Sequence, residues 1–159
     1  MQLISSSESA GPGGFRSPQP DAYVACRTRL TFIDSHIECP SLLIPAARSG
    51  ADLVFLSRNR DGIEQIVRHL RGRGRLSSIH LLAEVARGRL LLCGRALGLR
   101  ELREREPDIS RIGRSLAGCG RLHVGAGRIP DGQGERLLQA LAEFAGVPVA
   151  GWSGSALTG

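Results

Sequence analysis

Apolar residues along this chain come in short runs set between amphipathic stretches, and the alternation predicts strands and helices in turn. "RLTFIDSHI" (29–37) carries an apolar run that ends at Asp34, and "SLLIPAARSG" reads as a short helical or irregular crossover closed by Gly50. "ADLVFLSRN" (51–59) is a second strand-type run. In "RDGIEQIVRHLRGRG" the apolar positions Ile63, Ile66, Val67 and Leu70 fall at i, i+3, i+4 and i+7, one face of a helix that Gly72 and Gly74 end. Asn59 or Asp61 caps that helix, with Glu64 in its first turn. "SSIHLLAEV" (77–85) predicts a third, buried strand, and "GRLLLCGRALG" a short strand or hairpin. In the charged segment from Leu99, Pro107 makes a break, and Asp108 or Ser110 caps the helix after it. Strand "RLHVGA" (121–126), a glycine-rich loop and a helix over 133–145 come next. Leu137, Leu138, Leu141, Ala142 and Phe144 or Ala145 form that helix's apolar face, Gly146 ends it, and "VPVAGWSG" supplies a last strand.

Strands that alternate with helices predict an α/β fold, a mostly parallel sheet with helices on both faces. Right-handed crossovers then bring the strands' carboxyl ends to one edge, where ligands bind in such folds. The loops of that edge begin near Asp34, Ser57, Glu84 and Ala126, so Asp34, Arg58, Arg60, Glu84, Gly125, Gly127 and Arg128 are the candidates for a cleft there. Glu84 paired with Arg128 is one expected arrangement, and Asp34, Arg58, Arg60, Glu84 and Arg128 as five separate solvated loop residues is the other. His80 and His123 come early in their strands, which favours packing or backbone pairing over chemistry.

The chain's 159 residues suit one domain with its own core. Residues 1–28, rich in Ser, Gly and Pro, read as a disordered leader ahead of a folded domain over 29–159. That leader lacks a basic start followed by an apolar core, and no apolar run reaches the ~20 residues that span a bilayer. The default expectation is therefore a cytoplasmic chain with no membrane span. All 21 basic residues are arginine, which gives a net charge of +6. The densest cluster, "RHLRGRGR" (68–75), has no interleaved aromatic residue, which argues against a nucleic-acid partner. Cys26, Cys39, Cys93 and Cys119 form no C-x-x-C pair, so free thiols are expected rather than zinc or a disulfide framework.

The glycine loop invites three readings. A dinucleotide fingerprint has glycine at a third position where this chain has Pro130, and the ribose-binding carboxylate about twenty residues on is missing. A Walker loop needs a lysine, and the chain has none. Backbone amides at Gly132 to Gly134, within the glycine-rich loop 125–134, keep nucleotide or phosphate binding as an alternative.

The third reading rests on a resemblance. "LTFIDS", "RDGIEQI", "SSIHLLAEVARGRLLLCG" and above all "GQGERLLQALAEFAGVPVA…ALTG" resemble the bacterial domain of unknown function 4347, over about Leu30 to Gly159 and in the same order. That resemblance implies a caspase- or gingipain-like fold, a flavodoxin-like three-layer sandwich. It also implies a setting near the start of large surface or secreted adhesins, although this chain ends at "SALTG" with no repeats behind it. The family pattern places a histidine after the third strand and a cysteine after the fourth, a dyad in which the imidazole activates the thiol. Here Glu84 and Ala126 stand at those positions, and Gly127 replaces an asparagine. The expectation is a non-catalytic domain without cofactor or metal, acting as a structural or protein-interaction module or by self-association. A hydrolase using displaced residues, with a His36–Cys39 pair, is the alternative, as is a metal held by His36, Cys39 and Glu84.

Overall fold

A computed structural model describes residues 28–38, 40–126 and 131–151. Five strands form the main sheet: β1 (Arg29–Ile33), β2 (Asp52–Phe55), β3 (Leu76–Leu82), β7 (Leu116–Gly125) and β8 (Val149–Gly151). Their order is β2-β1-β3-β7-β8, and every neighbouring pair is parallel. Between β3 and β7 a small antiparallel sheet adds β4 (Glu84–Ala86), β5 (Arg89–Leu92) and β6 (Arg95–Leu97). The helices are α1 (Pro40–Arg48), α2 (Gly62–Leu70), α3 (Leu99–Glu104), α4 (Glu106–Arg114) and α5 (Gly132–Ala145). The expected α/β sandwich with a mostly parallel sheet is the architecture found.

Strand order decides which face each helix covers. The chain steps from β1 to β2 in one direction, and every later crossover of the main sheet steps in the other. Right-handed connections therefore place α1 on one face and α2 to α5 on the opposite one. Alternation along the strands matches this division. Leu30, Phe32, Ile79, Leu81, Leu122 and Val124 join the large core with residues of α2 to α5, whereas Ile33 and Leu82 pack with Leu42 and Ala46 of α1. The large core lies on what we term the first face, the α1 cluster on the second. Close approach of α4 to α5 explains one glycine: a Cβ at Gly113 would overlap the backbone carbonyl of Ala145.

Helix α2 follows its sequence pattern, with Ile63, Ile66, Val67 and Leu70 all buried. Asp61 is its cap, accepting a hydrogen bond from the Glu64 amide at 2.9 Å. Three expectations need correction. The break in the charged segment falls at Arg105, not Pro107, and neither Asp108 nor Ser110 caps α4. Pro107 sits in the first turn of α4, where its missing N–H costs nothing. Arg105 marks the boundary because its guanidinium grips Asp61 at 2.6 and 3.1 Å and Asp108 at 3.0 Å. Strand β7 begins at Leu116, so Cys119 lies within the strand rather than before it. The third strand stops at Leu82, and Glu84 opens β4 instead of ending β3.

Candidate functional site

The carboxyl ends of β1, β3 and β7 meet at one edge, and a cleft of about 280 Å³ opens above them. His36 to Glu38 form one wall, Leu42 of α1 adds an apolar patch, and Glu84 with Val85 stands across from Gly125 and Ala126. Gly125 has φ +150°, a backbone conformation that side chains disfavour, so a glycine is required at the tip of β7. Ala126 also packs against the α1 cluster. Three of the residues predicted by position, Glu84, Gly125 and Ala126, thus line one cavity, and His36 joins them.

Asp34 has another task. It is 3% exposed, and its Oδ1 accepts the Cys93 amide of the β5–β6 turn at 2.7 Å. Its Oδ2 accepts from the His36 amide and lies beside His36 Nδ1, both at 3.3 Å. Cys93 and Gly94 form a two-residue turn with φ +52° and +82°, the twist that joins antiparallel strands tightly. The buried carboxylate therefore fastens the small sheet to the tip of β1 and orients an imidazole on the cleft wall.

Neither described thiol gives that imidazole a partner. Cys93 is buried, and burial, then the charge of Asp34 and its hydrogen bond, push the thiol up to about 11. A neutral thiol at physiological pH is a poor nucleophile. Cys119 is exposed six residues before the end of β7, toward the opposite edge of the sheet. Ser35 Oγ lies 3.5 Å from the same Nδ1 that faces Asp34. Cys39 lies outside the described residues, so the His36–Cys39 pairing and the three-residue metal set do too. Among the described residues no group of three or more His, Cys, Asp or Glu side chains is placed to hold a metal ion.

Arg58 reaches across the edge to donate to the Ser35 carbonyl at 3.4 Å. Gly127 and Arg128 lie outside the described residues, and the Glu84–Arg128 pair with them. At the start of α5 the Asp131 carboxylate takes the Gly134 amide at 2.8 Å. An incoming phosphate would meet that negative charge where the glycine-loop reading needs open amides. Sequence reasoning missed Gln65, whose side chain bonds Ser57 through both backbone groups at 2.7 and 3.0 Å and reaches the Arg60 carbonyl at 3.3 Å. A lone amide on an amphipathic helix, one position from its buried stripe, was the available signal.

Asp61 completes the edge. Burial pushes its carboxyl up, but the hydrogen bonds from Arg105 and the Glu64 amide outweigh burial and hold it below the ordinary aspartate value. Neither the curated proteins nor the solved structures include one that matches this chain. The family model described as a domain of unknown function, DUF4347, matches residues 30–159, which takes in the whole described fold from Leu30 and the entire cleft, and the chain belongs to that family.

Proposed function

We propose that this chain is a non-catalytic, caspase-like interaction domain whose carboxyl-edge cleft receives a segment of a protein partner. One observation carries the reading. Where a nucleophile–base couple would assemble, the cleft offers a carboxylate at Glu84 and a methyl group at Ala126. Glu38 and Glu84 on its walls, above apolar Ile37, Leu42 and Val85, suit a partner segment that carries a basic side chain. Ala126→Trp fills the cleft without touching the large core. A photo-crosslinking residue at position 85, introduced in the producing cell, should capture one partner with the native chain. Capture should be lost with the Ala126→Trp chain while that chain keeps a cooperative thermal unfolding transition. Equal capture by both chains refutes the assignment.

The His36–Asp34 contact favours a second reading, a hydrolase whose base is His36 oriented by Asp34. Thiol-reactive peptide probes separate the two. Labelling of one cysteine, blocked by both Cys39→Ala and His36→Ala, establishes the hydrolase, and absence of labelling leaves the interaction domain.

A further inference from the structure

On the second face of the sheet, away from the cleft, adjacent strands bring two imidazoles together. His80 of β3 is in register with His123 of β7, and their rings stack at 4.5 Å between centroids with planes 17° apart. Thr31 of β1 is in register on the other side, and Arg29, Ser78 and Arg121 form the next row toward the amino edge. Three buried polar atoms among the described residues lack a hydrogen-bond partner: Thr31 Oγ1, Ser78 Oγ and His80 Nδ1. Alternation puts all three on this same face.

Among the described residues, the charges that face the pair have one sign. Arg29 faces it from β1 and Arg121 from β7, while β2 contributes Leu53 and Phe55 and β8 contributes Ala150. Helix α1 has a single ionisable residue, Arg48. No carboxylate faces the pair from any of these described elements. A proton added to the His80 ring, which is 6% exposed, meets only cations among the described residues that face it. Hydration of the charge requires the second face to part.

We propose that the stacked His80–His123 pair is an acid-triggered release of the second face, loosening α1 and β2 while the large core of the first face stays closed. Helix α1 is the element to yield, because it rests on Ile33 and Leu82, two positions beyond Thr31 and His80 on the same strands. Burial, then the charges of His123 and Arg29, bring the His80 imidazole down to about 4, and burial with Arg121 lowers His123. A histidine depressed in the folded state contributes full stability above about 6.5 and loses it as pH falls toward the folded value. The device does not rest on the partner proposed for the cleft, but Leu42 of α1 also lines that cleft, so release of α1 opens one of its walls.

Urea unfolding of the full chain at pH 7.5 and pH 5.0 reads the linkage. His80 alone should raise the unfolding constant about 30-fold between those two values, and His80→Phe should abolish most of that rise. Hydrogen exchange at pH 5.0, normalised to unstructured rates, should show α1 and β2 losing protection before α2, α4 and α5. Simultaneous loss in all five, or an unchanged pH dependence in His80→Phe, overturns the proposal. Should the phenylalanine variant not fold, the imidazole resonance of His80 in the native chain decides. A midpoint near 4 supports the release, and one near 6.5 overturns it.

Discussion

The two faces of the main sheet are built on opposite economies. The first face collects Phe32, Leu137 and Leu102, all fully buried, under four helices. Its second counterpart has, among the described residues, one helix, a small apolar cluster around Ile33 and Leu82, and three buried polar atoms without a partner, two hydroxyl oxygens and one imidazole nitrogen. The same strands supply both faces, so propensity does not separate them. Crossover direction does: a single reversal after β2 sends all later helices to one side. The difference teaches that stability is concentrated on the first face and that the second is where the structure has polarity in reserve.

Neighbouring residues of β1 test this most strongly. Phe32→Ala, on the first face, should lower unfolding free energy by about 4 kcal/mol, and Ile33→Ala, on the second, by about 2–3 kcal/mol. Chemical denaturation of both variants reads the ordering, and a larger loss at Ile33 breaks the comparison. Gly113→Ala should come next at about 2 kcal/mol, since the added methyl pushes α4 from α5 inside the first-face layer. A neutral result by the same measurement means that the helices can separate freely. Smallest is Thr31→Val, which replaces an orphaned buried hydroxyl with a methyl group of nearly the same shape. It should be neutral or raise the thermal midpoint, worth about 1 kcal/mol of added stability. A fall in midpoint would reveal a partner for Thr31 and remove the polarity argument for the second face.

Much of the fold was legible because its signals are local. The helical spacing of Ile63 to Leu70, the Asp61 cap and the Gly146 stop all act within one or two turns of backbone. Glu84 and Ala126 were placed together by the edge rule alone, with no knowledge of pairing. What escaped the sequence depends on contacts far along the chain. Arg105 marks a helix boundary through Asp61, forty-four residues away, and Asp34 is buried by a turn fifty-nine residues on. The short strand β4 was missed because its turn is Arg87–Gly88, with φ +52° and +69°, a less common signal than Asn-Gly for the same geometry. The imbalance between faces was invisible too, because it follows from strand order, which no local window contains.

Strand order also dictates when the large core becomes available to a chain leaving the ribosome. Phe32 emerges early, yet Leu137, Leu138 and Leu141, which close over the same face, follow more than a hundred residues later. At ~5–20 residues per second, a nascent chain leaves the part of that face under α5 uncovered for several seconds or more. A stalled product that ends before α5 therefore presents uncovered core surface to cellular quality control.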